Sequence, residues 1–250
     1  MISVVVITLN EADRIPSLLA SITFADEVIV VDSGSTDGTQ AICTAAGARV
    51  FSHPWQGYAE QKQYAMGLAT GEWILNLDAD ERISDSLAAE IQQSIHHTPP
   101  EICGFSMPRL SRYLGTWIRY GGWYPDRKVR LIRKGCGQWM GNGLHEKLEV
   151  TGAIHPLSSP ILHEVYRNIS DQVQTIDRFS DVYAAEKKPA GAWFAAAGVV
   201  HALGKFLECY LWKLGFLDGT AGLVIAMNSA GYIFLKHAKV WEKGVKASTP

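Results

Sequence analysis

Residues 74–81 read ILNLDADE, an apolar run that ends in the acidic side chains of Asp78, Asp80 and Glu81. Only 19% of the residues in the chain are charged, so this cluster of carboxylates beside an apolar run stands out. The run has the length and composition of a strand buried on both faces, which places the acids where the strand meets a loop. In an extended segment residues i and i+2 face the same way, so Asp78 and Asp80 can present both carboxylates to one ligand.

The chain before this run alternates between β-branched apolar stretches and helical stretches. We predict strands at residues 2–9, 27–31, 49–52 and 73–77, with helices at residues 12–22, 40–47 and 58–70 between them. This βαβαβαβ order is typical of an open, mostly parallel α/β sheet. Ligands of such sheets bind beyond the carboxyl ends of the strands. Polar residues end three of the strands and are predicted to face one crevice: Asn10, Glu11, Asp32, Asp78 and Asp80.

The pattern becomes less regular after a predicted helix at residues 84–97. Strands are predicted at residues 102–107 and 129–132, separated by a segment rich in Trp, Tyr, Arg and Gly that we interpret as a loop. From residue 193 the composition changes to long apolar helical runs with few charges. We therefore predict a catalytic domain at residues 1–190 and a helical extension at residues 191–250.

Composition excludes some classes of function. The formal net charge of −2 and the pI of about 6.4 argue against general nucleic-acid binding, which usually requires a basic excess. The four cysteines are scattered and form no C-x-x-C pair, so they favour free thiols in a reducing cytoplasm.

Several uses of the acidic pair can be compared. Carboxylate oxygens suit Mg²⁺ or Mn²⁺ shared with substrate phosphates, although an isolated D-x-D pair is also common among surface acids. A calcium loop would need Gly and Glu where Ile83 and Ala89 stand, and a dinucleotide-binding turn would need glycines that residues 8–14 lack. A phosphatase would place D-x-D after its first strand. For Glu81 we expect no role beyond a solvated acid.

Four ordered motifs carry a family resemblance. They read VVVITLNEADRI, VIVVDSGSTDGT, AEQKQYAMGLATGEW and ILNLDADE, and together they span most of the first 100 residues. In order and spacing they resemble family-2 inverting glycosyltransferases of the GT-A fold. The resemblance implies a Rossmann-like, mostly parallel sheet flanked by helices, and a nucleotide-sugar donor.

The resemblance also implies roles for individual residues. The nucleotide-sugar would be bound by Thr8, Asn10, Glu11, Asp32, Lys62 and Asp78. Asp80 would bind a divalent cation, Mg²⁺ or Mn²⁺, with Asp78 and His163 as further ligands. Glu146 would be the catalytic base, with His145 as the second candidate. Structural roles remain open for Lys62, His145, Glu146 and His163.

The segment at residues 109–128 is predicted to contact the acceptor. Its aromatic rings offer flat faces for sugars, and its arginines offer forked donors for phosphate or carboxylate. The predicted acceptor residues are Arg109, Trp117, Tyr120, Trp123 and Arg127. Packing in the core is the alternative use of the aromatic residues.

Later motifs narrow the resemblance to bacterial lipopolysaccharide-core glycosyltransferases that add a β-1,4-glucose to an inner-core heptose. They read YGGWYPDRKVRLIRKG, GLHEKLEV and KLGFLDGTAGLVIA. This implies a UDP-sugar donor, an anionic glycan acceptor, and work at the cytoplasmic face of the inner membrane. The amphipathic C-terminal helices are expected to lie in the membrane interface, with packing on the catalytic domain or in a homodimer as the alternative. Other readings of the chain are a transferase for another cell-surface glycan, a noncatalytic nucleotide-sugar or glycan-binding module, and a membrane-associated scaffold.

Overall fold

The computed structural model describes residues 1–96, 98–141 and 146–248. The chain divides into two compact units. The N-terminal unit comprises Met1–Arg109 and Arg127–His163, and the C-terminal unit comprises Leu110–Asp126 and Glu164–Pro250. The C-terminal unit thus includes residues on both sides of the predicted boundary at residue 190.

The first part of the N-terminal unit has the predicted βαβαβαβ order. Its elements are β1 (Ile2–Thr8), α1 (Ile15–Ser21), β2 (Glu27–Asp32), α2 (Thr39–Ala45), β3 (Arg49–Ser52), α3 (Tyr58–Gly67) and β4 (Trp73–Asp78). Strand β1 pairs in parallel with both β2 and β4, and β2 pairs in parallel with β3. The register sets Thr8 opposite Asp32 and Ile7 opposite Asp78, so three strands end at the same edge. The prediction of a mostly parallel GT-A-like sheet flanked by helices is confirmed.

The remaining elements begin with β5 (Glu81–Ile83), α4 (Asp85–His96), β6 (Ile102–Tyr113), β7 (Thr116–Ile118) and β8 (Asp126–Arg133). They continue with β9 (Gly137–Met140), β10 (Lys147–Val150), β11 (Ala153–Pro156) and β12 (Ile161–Glu164). In the described part of the chain the main sheet runs in the order β3-β2-β1-β4-β8-β6-β12-β5. Strands β7 and β11 also pair with β6, while β9 and β10 form a separate antiparallel pair.

One prediction about this region is wrong, and one strand was not predicted. The segment at residues 109–128 was expected to be a loop, but β6 continues to Tyr113, β7 follows, and β8 begins at Asp126. Most residues of β6 are buried, as expected of a strand that is covered on both faces. Strand β5 was not predicted, because three residues are too few to show a period.

Apolar side chains from both faces of the parallel strands form the core of the N-terminal unit. Val4, Val30 and Leu75 contribute to one apolar cluster, and Val5, Ile29 and Ile74 contribute to a second. Neighbouring residues of a strand point to opposite faces, so a continuous apolar run places side chains in both clusters. This explains why the run before Asp78 contains scarcely any polar residue.

The C-terminal unit is mainly helical. It contains α5 (Ile169–Glu186), α6 (Ala192–Leu207), a π-helical segment (Glu208–Trp212), a 3₁₀ turn (Gly215–Asp218) and α7 (Gly219–Ser248). The Asn168 side chain caps α5 by accepting a hydrogen bond from the Asp171 backbone N–H at 2.9 Å. The small apolar core of the C-terminal unit packs Tyr113, Ile118 and Ile225 together.

One helical segment of the described chain is long and apolar enough to cross a membrane by length and composition. It is Ala192–Trp212, with a mean hydropathy of 1.2, and only 11% of its most apolar window is buried. Soluble core helices can pass the same length and composition test, but most of their residues are buried. The low burial therefore identifies this segment as an apolar surface.

Candidate functional site

Asp32, at the end of β2, organises the loop that follows it. Its carboxylate is fully buried and accepts hydrogen bonds from Thr8 Oγ1 at 2.8 Å and Gln40 Nε2 at 2.6 Å. It also accepts from the backbone N–H groups of Gly34 and Ser35 and from the Ser35 hydroxyl. Burial disfavours the charge, but these hydrogen bonds outweigh burial and hold the pKa of Asp32 below its ordinary value. The structure thus brings Thr8 and Asp32 together as predicted.

The turn after β1 is fixed to the same loop. Asn10 adopts a left-handed conformation with φ of 55°, its backbone N–H donates to Ser35 Oγ at 2.8 Å, and its Oδ1 accepts from the Thr36 N–H at 2.9 Å. The Glu11 N–H donates to Thr39 Oγ1 at 2.9 Å. These bonds join the ends of β1 and β2 into one rim.

Asp78 lies between two basic side chains at the end of β4. Lys62 Nζ is 2.8 Å from Asp78 Oδ1, and Arg130 forms an ion pair with Asp78 Oδ2. Burial opposes ionisation of Asp78, yet Arg130 and Lys62 hold its pKa far below the ordinary value. The carboxylate therefore keeps its charge, and Lys62 and Arg130 are fixed at the strand end.

Glu81 is wholly buried, which corrects the expectation of a solvated acid. Its Oε1 accepts from Arg130 at 2.7 Å and its Oε2 accepts from the Asp78 backbone N–H at 3.1 Å. Arg109 also lies 3.5 Å from Glu81 Oε1. The residue is buried because it begins β5, whose register with β12 sets Glu81 opposite His163.

Asp80 has different surroundings from Asp78. Its Oδ2 lies 3.4 Å from His163 Nε2 and 3.6 Å from an Arg14 guanidinium nitrogen. Its Oδ1 is buried and has no hydrogen-bond partner within the described residues. Residues 1–96, 98–141 and 146–248 hold no group of three or more His, Cys, Asp or Glu side chains arranged for a metal. A metal at Asp80 would therefore need ligands from the substrate, as Mg²⁺ commonly does.

Glu146 lines a cavity of about 410 Å³ in the N-terminal unit. Its Oε1 lies 3.3 Å from Lys62 Nζ, and the same ammonium lies 4.7 Å from the centre of a Trp139 ring. The cavity is strongly basic, since its charged lining residues are Lys62, Asp78, Arg109, Arg127, Lys128, Arg130, Glu146 and Lys147. The prediction for His145 lies outside the described residues.

The predicted acceptor residues fall in both units. Arg109 and Arg127 line the basic cavity, and Arg127 also donates to the Leu157 carbonyl at 2.6 Å. Trp117, Tyr120 and Trp123 belong to the C-terminal unit. Trp117 lies beneath the Arg112 guanidinium at 5.7 Å, and the Tyr120 backbone N–H donates to Asp218 at 2.9 Å.

Sequence reasoning missed several members of the site. Lys128 and Lys147 line the cavity, Trp139 contacts Lys62, and Glu81 fixes Arg130. Lys147 follows Glu146 directly and Lys128 precedes β8's Arg130 by two residues, so strand alternation could have suggested Lys128. The sequence pattern does not predict that Glu81 is buried, because the residue is flanked by the charged residues Asp80 and Arg82.

The chain is similar to known glycosyltransferases. The family described as "Glycosyl transferase family 2" matches residues 3–147. A "Lipopolysaccharide core biosynthesis glycosyltransferase LpsC" from Rhizobium meliloti is 29% identical over 261 residues, covering 100% of this chain and 95% of the relative. An "Uncharacterized glycosyltransferase" from Rickettsia felis is 51% identical over 92 residues, which cover 36% of this chain and 32% of that protein. A crystal structure of glucosyl-3-phosphoglycerate synthase from Mycobacterium tuberculosis is 21% identical with a TM-score of 0.48, covering 68% of this chain and 74% of that one.

Proposed function

Because this chain belongs to glycosyl transferase family 2 and is a glycosyltransferase, we propose that it transfers a sugar from a UDP-sugar to an inner-core heptose of lipopolysaccharide with inversion at the anomeric carbon. Glucose is the proposed donor sugar. The family match, the full-length similarity to a lipopolysaccharide-core relative and the motifs of the sequence support this assignment.

The observation that carries the proposal is the basic cavity with a carboxylate inside it. Six basic side chains line the cavity. Three of them lie on β8, one lies on β6, and one follows Glu146 directly. The sixth, Lys62, is fixed by its ion pair with Asp78. Such a lining attracts a diphosphate or another anionic group. The chain as a whole has a net charge of −2, so this positive charge is local to the site.

We assign the base to Glu146. Its carboxylate accepts the proton of the attacking acceptor hydroxyl while that oxygen forms a bond to the anomeric carbon. The bond from the anomeric carbon to UDP breaks with its electron pair leaving on the diphosphate. Lys62 Nζ lies 3.3 Å from Glu146 Oε1 and 2.8 Å from Asp78 Oδ1, and it would neutralise part of the negative charge beside the leaving group.

The residues around Asp80 fit a divalent cation. The buried Oδ1, which has no hydrogen-bond partner among the residues that the structure describes, is a hard oxygen ligand, and His163 Nε2 is close to the other oxygen of the same carboxylate. We propose Asp80 as the principal ligand for Mg²⁺ or Mn²⁺, with His163 beside it. The predicted role of Asp78 as a further ligand is less well supported, because both of its oxygens are ion-paired with Lys62 and Arg130. A cation bound there would supply Lewis-acid neutralisation of the departing diphosphate.

The proposed nucleotide-binding residues line the rim formed by the strand ends. Asn10 and Glu11 are on the turn after β1, Thr8 and Asp32 are joined by a hydrogen bond, and Asp78 ends β4. We propose that the rim binds the nucleoside and that Lys62 faces the phosphates. Ligands of parallel sheets commonly bind at such an edge.

The C-terminal unit is proposed to contact the inner face of the bacterial inner membrane. Val200, Leu203, Leu207 and Leu211 are exposed along one side of Ala192–Trp212. Their spacing of three or four residues forms a continuous stripe on a helix. An apolar stripe of this kind can lie in the interface of a bilayer, where a lipid-linked acceptor would be found. A homodimer formed through the same stripe is the alternative.

Another cell-surface glycan is the second candidate for the acceptor, because the match to lipopolysaccharide-core enzymes rests on similarity at 29% identity. A noncatalytic module and a membrane scaffold are set aside, since the family and the named relatives are glycosyltransferases.

The test is a transfer assay with UDP-glucose, a divalent cation and a purified heptose-containing core acceptor. We expect a new β-glycosidic linkage, identified by NMR of the product, and release of UDP in equal amount. An α-linked product would contradict inversion. Transfer from a different UDP-sugar alone would correct the donor while leaving the mechanism intact.

A further inference from the structure

A second cavity lies entirely within the C-terminal unit. It has a volume of about 230 Å³ and lies between one face of α5 and one face of α7. Four of its nine lining residues are aromatic and four are uncharged polar residues. The lining consists of Trp123, Tyr166, Gln172, Thr175, Ile176, Phe179, Asn228, Ser229 and Tyr232. None of these described residues carries a charge, so the cavity suits a neutral ligand.

Hydrogen bonds fix the orientation of the polar side chains on one side of the cavity. Gln172 is buried, and its Oε1 accepts hydrogen bonds from the Tyr113 hydroxyl at 2.5 Å and from Asn228 Nδ2. Both lone-pair directions of that oxygen are therefore used, which leaves the Gln172 amide N–H groups as donors. Within the described residues, neither this amide nitrogen nor Asn228 Oδ1 has another hydrogen-bond partner. A donor on Gln172 and an acceptor on Asn228, two residues of the cavity lining, thus remain available.

Aromatic contacts hold the walls of the cavity. Trp123 and Tyr166 each pack edge-on against the buried Tyr113 ring, at centroid distances of 5.9 Å and 6.2 Å. Tyr232 lies 5.0 Å from the Lys236 ammonium. Burial raises the pKa of Tyr166 and of Tyr232, so both hydroxyls stay protonated and can donate. The rings are positioned before any ligand binds.

The chemistry and size of this cavity match a single sugar ring. A pyranose has apolar C–H faces that pack on aromatic rings and neighbouring hydroxyls that pair with an amide donor and acceptor. A volume of about 230 Å³ is below the ~300–1,000 Å³ of drug-sized pockets, as expected for a monosaccharide unit. We propose that this cavity, between α5 and α7, is a saccharide-binding site that takes a neutral sugar unit.

The inference rests on the proposed function in one respect, because the natural source of the sugar would be the glycan acceptor. A remote sugar bound there would add affinity for the acceptor without taking part in the chemistry. Loss of the site should therefore raise KM for a long acceptor while leaving kcat nearly unchanged.

The test is saturation-transfer NMR with methyl glycosides of glucose and of a heptose, in the absence of donor and metal. We expect millimolar binding of at least one glycoside to the full chain. Tyr232→Ala should weaken it by about tenfold, equivalent to about 1.4 kcal/mol. Thr175→Val, which keeps the volume and removes a hydroxyl, should weaken it less.

The matched control is Phe234→Ala, which removes an exposed ring from the same helix outside the cavity. It should bind the glycoside like the wild-type chain, and melting curves should show that all three variants are folded. Unchanged binding in Tyr232→Ala, or saturation by octanol while neither glycoside binds, would overturn the saccharide assignment. Glycoside binding without any sugar transfer would leave this site in place and count against the proposed function alone.

Discussion

At the scale of residues, two carboxylates two positions apart have opposite surroundings. Asp78 is held between Lys62 and Arg130, whereas Asp80 keeps one buried oxygen without a partner in the described part of the chain. The ion pairs of Asp78 fix the basic side chains of Lys62 and Arg130 at the strand end, whereas the buried oxygen of Asp80 remains available to bind a metal ion. Within the D-x-D pair, Asp78 therefore orders the site, and Asp80 is the proposed ligand of the divalent cation.

The buried charge of Glu81 gives a stability prediction. Replacing it with Gln leaves Asp78 as the one anionic partner of Arg130 among the described residues, so we expect the free energy of unfolding to fall by about 3 kcal/mol. Urea denaturation of wild type and variant measures the change. Glu72→Gln is the control, because Glu72 is 57% exposed and its ion pair with Arg133 should contribute less than about 1 kcal/mol. Equal losses in the two variants would contradict the role of Glu81.

Glu27 gives a prediction about pH. Its side chain is buried, which opposes ionisation, but hydrogen bonds from Ser3, Thr70 and Arg49 outweigh burial and lower its pKa from 4.5 to about 2. A lowered pKa in the folded state stabilises the protein above the unfolded value, and the benefit is lost as the pH falls from 4.5 towards 2. The shift corresponds to about 3 kcal/mol.

The Glu27→Gln variant tests this directly. At pH 7 it should be less stable than the wild-type chain, and in denaturation curves at several pH values the difference should shrink as the pH falls below 4.5 and disappear near pH 2. A constant difference between them at every pH would show that the ionised form of Glu27 is not favoured by folding.

At the scale of elements, long strands were predictable and short or buried-polar features were not. Strands β1 to β4 follow from their continuous apolar runs, and the strand-end positions of Asp32 and Asp78 follow with them. Strand β5 is too short to produce a pattern, so the burial of Glu81 depends on tertiary pairing with β12. The residues that line the basic cavity come from segments far apart in sequence, and pattern alone cannot bring them together.

Close packing of α6 on α7 gives a matched pair of glycine substitutions. A Cβ added at Gly198 would lie 2.5 Å from the His237 Cβ, whereas one added at Gly204 in the same helix would meet nothing within 4 Å. We expect Gly198→Ala to destabilise the protein by about 1–3 kcal/mol because of overpacking. Gly204→Ala should stabilise it by up to about 1 kcal/mol through helix propensity. Thermal unfolding measures both, and the same sign for the two variants would contradict this packing.

The exposed stripe of α6 gives a membrane prediction. Leu203→Gln should reduce co-sedimentation with vesicles of phosphatidylethanolamine and phosphatidylglycerol by about tenfold, because Leu203 is 62% exposed and would be buried among lipids. Val173→Gln on α5, which is 51% exposed but outside the stripe, is the control. If Leu203→Gln instead converts a dimer to a monomer and leaves vesicle binding unchanged, the stripe is a subunit interface.

At the scale of the whole molecule, similarity extends beyond the part that defines the family. The family match ends at residue 147, but the Rhizobium meliloti relative aligns along the full length of this chain. The C-terminal unit is therefore part of what the two chains share.

Glu146 is proposed to be the base of a sugar transfer in the basic cavity. The most direct measurement compares kcat for transfer in wild-type and Glu146→Gln proteins, with the donor dissociation constant measured separately for both. We predict a fall in kcat of about 10²–10⁴-fold with unchanged donor binding. A Glu146→Gln protein that transfers sugar at nearly the wild-type rate would show that Glu146 is not the base.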